Sequence, residues 1–532
     1  MDLHRRSLLR AGALLPLIPV VPALTACTQE AGPASGTPRP LPVPELLEPE
    51  MDGEVATFTL TAQAGTSEFV PGTTTATWGF NGAYLGPTLL LRRGQPVRVN
   101  VRNELPETTT VHWHGIKLPA AADGGPHQPI EPGQSWSAEF TPDQPAMTGW
   151  YHPHPHGNTA QQVYRGLAGL LWLQDDDDAA EAGIPSEYGV DDVPLVVQDK
   201  RLAEDGELMD AAFGTNVGVL GQTVVVNGQV NPLFEAEREL IRFRLVNGSN
   251  TRVYGFRFAD GRTFAQIASD GGLLAEPFLT DAVHLSPGER AEIVVRFVPG
   301  ETAQLISAEP RMGSVADPDD VGARDELAIL TVTGPPAAAD AGDQQDADAD
   351  RTVPAVTAPE DLGLPAVLAE VPRHRVDDAA ETRQFRLQGF QINSRAMSMS
   401  RIDFAAPVDQ LELWQVVNMD PIPHNFHIHN AQFQVHDVDG AEPPPDLAGW
   451  KDTVYVEPQR TTRLLVRFER YTDPEVPYMY HCHLLYHEDE GMMGQFTVVD
   501  GPGSGEPSAF ESPAPDGRRG YGPRSGAAHS GH

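Results

Sequence analysis

Val97-Arg98-Val99-Asn100-Val101-Arg102-Asn103 puts a valine at every second position and a polar residue between. Successive side chains of a strand point to opposite faces, so this period of two predicts a half-buried β-strand. Ile241-Arg242-Phe243-Arg244-Leu245 repeats the pattern, and Leu464-Leu465-Val466-Arg467-Phe468 repeats it less cleanly. The strand ends recur as well, as Val101-Arg102-Asn103, Val246-Asn247 and Val417-Asn418. A second repeat opens strands: Pro287-Gly288-Glu289-Arg290 leads into Ile293–Phe297, and Pro458-Gln459-Arg460 into Leu464–Phe468. Three copies predict three related all-β sandwich domains, over residues 51–178, 190–335 and 381–500.

The composition agrees. A chain of 532 residues has room for about three domains of ordinary size. Its 50 glycines and 49 prolines suit a turn-rich β protein. Residues 28–50 read as a flexible Pro-rich tether, 336–380 as an acidic Ala/Asp/Pro linker and 501–532 as a disordered tail. A net charge of −37 argues against a nucleic-acid partner. Lys117, Lys200 and Lys451 are the only lysines, which reads as a compositional bias without functional meaning.

The first 27 residues read as an address. Arg5-Arg6 precedes an apolar run from Ala11 to Ala26 that is too short and too Pro-interrupted for a permanent span. The arginine pair points to twin-arginine (Tat) export. Leu24-Thr25-Ala26-Cys27 matches a lipobox, which predicts acylation of Cys27 and anchoring of an extracytoplasmic protein to a membrane surface. A monomer is expected.

Eighteen histidines include five His-x-His pairs: 112/114, 152/154, 154/156, 427/429 and 481/483. Random placement would give roughly 0.6 pairs. Within a strand such residues share a face about 6.6 Å apart, a spacing that suits one metal ion or two adjacent ones. The first and third domains hold the pairs in parallel order. The second has only Thr251-Arg252-Val253-Tyr254-Gly255 after its Asn247, so it reads as a spacer without ligands. One metal cluster between the first and third domains is expected.

Cys482 lies between His481 and His483, so in a strand its sulfur would face the other way. His487 follows by five and Met492 by ten, with His424 upstream. Two histidines, a thiolate and a weak thioether are the ligand set of a blue-copper site. The first domain has Pro153 where the third has Cys482, and Leu167 where the third has Met492, so only the third can hold it. The Cys482 backbone then joins this site directly to His481 and His483.

At this point the chain resembles the three-domain bacterial multicopper oxidases, the laccase and cuprous-oxidase group. The matching segments are His112-Trp113-His114-Gly115, Trp150 through Gly157, His424 through His429, and His481-Cys482-His483 through Met492. The resemblance implies three cupredoxin-like Greek-key domains and four copper ions. It implies type 1 copper at His424, Cys482 and His487 with Met492 axial. It implies type 2 copper at His112 and His427. The type 3 pair would take His114, His152, His154, His429, His481 and His483. The family usually has Pro and Gly where this chain has Asn425 and Asn430. Its activity implies one-electron oxidation of a phenolic or similar small donor, coupled to reduction of O2 to water.

Asp123 and Glu488 match carboxylates that deliver protons in similar enzymes. Asp420, four residues before His424, matches a carboxylate at the donor site of cuprous oxidases. It keeps open the alternative of a metal-ion oxidase acting on Cu(I), Fe(II) or Mn(II) in copper tolerance. The eleven methionines form no Met-rich insertion. His156 continues the alternation of His152 and His154 and is expected to support the ligands from behind. His127, His284, His374 and His436 are expected to be surface or structural residues.

Overall fold

The computed structural model describes residues 37–175, 183–209, 217–310, 319, 322, 324–336 and 355–510. Cys27, the export signal and the end of the tail lie outside them. Strands dominate, with two short α-helices, Thr159–Arg165 and Leu485–Asp489, among the described residues. No helix among these residues is long and apolar enough to cross a membrane.

Six of the seven sheets among the described residues pair into three sandwiches, each closed over its own core. Phe58, Val99, Leu89 and Leu171 meet between the sheets of the first. Phe243, Ile293, Phe256 and Leu305 do so in the second, and Phe385, Trp414, Phe426 and Phe496 in the third. Each sandwich repeats one strand triple. Val97–Asn103 runs parallel to Val55–Ser67 and antiparallel to Ser135–Phe140. Leu240–Asn247 pairs the same way with Asp192–Lys200 and Arg290–Arg296, and Leu411–Asn418 with Glu381–Gln388 and Thr461–Arg467.

The recurring asparagine has a physical cause. Asn103 Nδ2 donates to the carbonyls of Glu107 and Ile130, and its Oδ1 accepts the Leu105 N–H. Asn247 binds Arg252, Leu285 and Ser249 in the same pattern. Asn418 binds Ile422, Val456 and Asp420. One amide thus satisfies three buried backbone groups where each strand gives way to a loop.

Four expectations are corrected. Residues 39–50 are not a free tether: Arg39–Pro40 pairs with the second sandwich and Leu46–Leu47 with the first. The proline-rich segment adds its strands at sheet edges, where a proline's missing N–H is tolerated, and Leu41 is buried in the second core. Part of the linker is fixed too, since Leu362, Leu364 and Leu368 are buried against Ala265 and Val294. The tail begins ordered, with Ser508–Ala509 paired to Arg401–Ile402 and Phe510 against His127. Finally, Arg242 and Arg244 do not face water. Both are buried, and Leu240–Asn247 is covered on both faces. Their charges are met by Asp192 and Glu292, and Thr148 of the first sandwich joins the network. Two of the three lysines are also paired: Lys451 is buried between Asp270 and Glu289, and Lys117 meets Glu469.

Candidate metal centre

Ten histidines, each in the first or third sandwich, converge with Cys482 in two groups. All are buried. His424 opens the strand His424–Ile428, and His487 sits on the helix Leu485–Asp489. Their Nδ1 atoms are 3.0 Å apart, and Cys482 Sγ lies 3.7 and 3.6 Å from them. The strand carrying His481 ends there, so Cys482 is aimed by the turn after it and not by strand alternation. Its N–H donates to the Met492 carbonyl, and the Met492 N–H donates to the His487 carbonyl. Met492 shares a buried cluster with Cys482. Burial pushes the Cys482 thiol up to about 12, so a cation must displace its proton to bind.

Asp420 is half-buried at this group. Its Oδ2 lies 3.0 Å from His424 Nε2 and accepts the Gly389 N–H. Burial alone would raise its carboxyl, but these two bonds hold it below the usual range. The Phe390 ring stands 5.4 Å from that of His487.

The second group holds eight imidazoles. His114, His152 and His483 bring ligand atoms within 4.8 Å of one another, as do His154, His429 and His481. His112 and His427 stand beside them, their rings 5.8 Å apart. His154 Nε2 and His429 Nε2 lie 3.2 and 3.4 Å from His481 Nε2. Their outward nitrogens face carboxylates. His429 Nδ1 is 2.7 Å from Asp123 Oδ2, and His154 Nδ1 and His481 Nδ1 are each 3.2 Å from Glu488. His112 Nδ1 meets the Asp123 carbonyl, His152 Nδ1 the Pro153 carbonyl and His427 Nδ1 the Asp452 carbonyl. His112 Nε2, His427 Nε2 and both His483 nitrogens are buried with no hydrogen-bond partner, and His154 Nδ1 faces Glu488 without hydrogen-bonding it. Buried polar atoms are rarely left so. Imidazoles fixed on one nitrogen and bare on the other fit a metal cluster.

Burial holds His114, His152, His154, His427 and His483 well below the usual imidazole range, and His429 at about 3. All six are therefore neutral, as ligation requires. Burial would raise the Asp123 carboxyl, but His429 and His112 bring it below the usual range. The Asp123 turn depends on Gly124, at φ +74°, where a Cβ would overlap the Val111 carbonyl. Asn430 stands at φ +56°, which asparagine tolerates.

His156 is exposed and does not support the ligands, because the chain turns at residues 156–158 into the helix Thr159–Arg165. His127 is buried, its Nε2 2.7 Å from Gln495 Oε1. His284, His374 and His436 are partly exposed and outside the centre.

Residues of the supposed spacer domain reach the site, which the histidine pattern missed. Arg290 donates from Nη1 and Nη2 to the two oxygens of Asp452, both at 2.7 Å. Asp452 Oδ1 lies 2.9 Å from His114 Nε2. Asn425 Oδ1 accepts the His483 N–H, and its Nδ2 donates to the Pro287 carbonyl. The only signal was the Pro-Gly-Glu-Arg repeat itself, which periodicity reads as a turn.

Residues 61–178 and 371–502 each match the family described as Multicopper oxidase. The chain is 36% identical over 468 residues to "Multicopper oxidase mco" of Staphylococcus haemolyticus, covering 86% of this chain and 92% of that protein. It is 35% identical over 506 residues to "Cell division protein FtsP" of Dickeya dadantii, covering 94% and 99%. Among solved structures it is similar to a laccase from Pediococcus acidilactici, with a TM-score of 0.75, 35% identity, and coverage of 88% of this chain and 96% of that one.

Proposed function

The chain belongs to the multicopper oxidase family, and from that premise we propose that it is a laccase-like oxidase. It couples one-electron oxidation of a phenolic or similar small donor to reduction of O2 with four electrons and four protons to two waters. Four copper ions are assigned: type 1 to His424, Cys482, His487 and axial Met492; type 2 to His112 and His427; the type 3 pair to His114, His152 and His483 and to His154, His429 and His481. The observation that carries the reading is the pair of buried Nε2 atoms of His112 and His427, which have no protein partner, beside Nδ1 atoms of the same two histidines that do.

Bound copper would supply the one-electron steps and the binding of O2. The protein's part is positional. His481 and His483 flank Cys482 in sequence, so the two groups are joined through three consecutive residues. Asp123 and Glu488 stand against outward imidazole nitrogens from opposite histidines, where a carboxyl group can hold or pass a proton. Asp420 on His424 favours a second reading, oxidation of Cu(I), Fe(II) or Mn(II), because a carboxylate at the electron entry attracts a cation. We further read the protein as exported, extracytoplasmic, monomeric and lipid-anchored through Cys27.

Copper analysis together with O2 uptake tests the reading. Four coppers per chain and one O2 consumed per four electrons are expected. A copper-replete protein that consumes no O2 would sink it in favour of a non-catalytic relative. Comparison of kcat/KM for a phenol, Cu(I) and Fe(II), on the wild type and Asp420→Ala, chooses the donor. If Asp420→Ala leaves all three unchanged, Asp420 has no part in donor oxidation.

A further inference from the structure

The second sandwich supplies none of the ten histidines, yet its Ser286–Arg290 turn touches the centre or its supports at every residue. Ser286 Oγ and the Pro287 carbonyl accept from Asn425 Nδ2 at 3.3 and 2.8 Å. Asn425 Oδ1 in turn accepts the His483 N–H and lies 3.5 Å from Cys482 Sγ. Gly288, at φ +85°, presses so close that a Cβ would stand 3.0 Å from the His483 ring. Glu289 meets Lys451, the neighbour of Asp452. Arg290 grips both oxygens of Asp452.

Asp452 then acts on two histidines from different sandwiches. Its Oδ1 faces His114 Nε2 at 2.9 Å, and its backbone carbonyl faces His427 Nδ1 at 2.8 Å. Thr453 Oγ1 lies 3.1 Å from both of these nitrogens and donates to Asp452. A carboxylate held by a bidentate guanidinium has one orientation. Its acceptors decide which nitrogen of each imidazole carries the proton, leaving His114 Nδ1, 3.4 Å from His152 Nε2, and the unpartnered His427 Nε2 as the inward lone pairs.

We propose that the Ser286–Arg290 turn is a positioning element for the metal cluster. It orients His114 and His427 through the Arg290–Asp452 pair, and seats His483 through Gly288 and Asn425. The domain without ligands is therefore part of the site. The proposal rests on the copper assignment above. A lysine at position 290 could supply charge but not the fork, so the carboxylate would be free to turn. Arg244 is the internal control: it makes an equally buried pair with Asp192 and Glu292, neither of which bonds a histidine.

The experiment compares copper-loaded wild type, Arg290→Lys and Arg244→Lys by copper loss to a chelator, the type 2 EPR signal, the blue band and the thermal midpoint. Arg290→Lys should lose cluster copper about 10- to 100-fold faster and alter the type 2 signal, with the blue band kept. Arg244→Lys should lower the thermal midpoint but hold copper like the wild type. Copper retention by Arg290→Lys at the wild-type rate would overturn the proposal, as would equal copper loss from both lysine variants. If Arg290→Lys does not fold, the double variant Arg290→Met/Asp452→Asn removes both charges and keeps an oxygen facing His114. It should show the same copper loss, and retention there would again overturn the role. A wild type that binds no copper would overturn the functional reading and this one with it, whereas a copper-replete wild type beside an unaffected Arg290→Lys would overturn the positioning role alone.

Discussion

Asp123 Oδ2, in the first sandwich, lies 2.7 Å from His429 Nδ1 in the third. The same residue's backbone carbonyl lies 2.9 Å from His112 Nδ1. One aspartate therefore anchors a histidine of each ligand-bearing sandwich, with its side chain on one and its main chain on the other. The two anchors can be separated by mutation, because an asparagine keeps the carbonyl and removes the charge.

Asp123→Asn should slow O2 reduction about 10²- to 10⁴-fold, the usual effect of losing a positioned acid–base group. Copper content and anaerobic reduction of the blue band should stay as in the wild type. Stopped-flow reoxidation measures the step directly. Reoxidation within twofold of wild type would remove Asp123 from proton delivery.

Cys482→Ser should abolish the intense blue absorption and the oxidase activity, because a hydroxyl cannot supply the thiolate bond. The eight-histidine group should still fill with copper, since its ligands are untouched. A variant that stays blue would mean that Cys482 is not the type 1 ligand.

Met492→Leu should raise the type 1 reduction potential, and Met493→Leu should change it far less. A thioether stabilises Cu(II) more than Cu(I), so its loss favours the reduced site. The backbone of Met492 is tied to both Cys482 and His487, whereas Met493 pairs with His481 in the next strand. Redox titration of the blue band decides between them, and the reverse order would transfer the axial role to Met493.

Arg242→Met should destabilise the second sandwich by about 3 kcal/mol, since it strips a buried carboxylate of a partner. Glu292 accepts from Arg242, Arg244 and Thr148. Burial would raise its carboxyl, but the two arginines bring it from 4.5 down to about 2. A lowered carboxyl stabilises the fold above its unfolded value, so this contribution is intact at neutral pH and lost as pH falls from about 5 to 2. Calorimetry from pH 7 to 3 should find a shallower acid loss in Arg242→Met. An identical acid profile would count against the assignment.

Cys27→Ala should move the protein from the membrane fraction to the soluble extracytoplasmic fraction, because the acyl chains of a lipobox cysteine are the only anchor proposed. Unchanged fractionation would remove the lipoprotein reading and leave the oxidase reading standing.

The sequence by itself determined the all-β sandwiches and the inventory of candidate metal-ligating side chains. Alternation at Val97–Asn103 reports a strand because pleating is local, and the asparagine at each strand end repeats because each must satisfy the same backbone groups. His-x-His spacing and Cys482 likewise report chemistry that depends on residue type. Tertiary structure decided the partition. His481 and His483 are two residues apart, yet one groups with His154 and His429 and the other with His114 and His152. Periodicity could not foresee this, because Cys482 and His483 lie beyond the end of their strand, where alternation no longer applies. The same limit hid the exposure of His156, whereas Arg242 and Arg244 lie within a strand and their burial has another cause. A period of two assigns residues to a face of a sheet, but only the packing of a neighbouring sandwich decides whether that face meets water. Arg290 and Asp452, 162 positions apart, carry no shared pattern at all. They meet because three sandwiches close on one junction, where a buried guanidinium needs a carboxylate and two histidines need fixed acceptors.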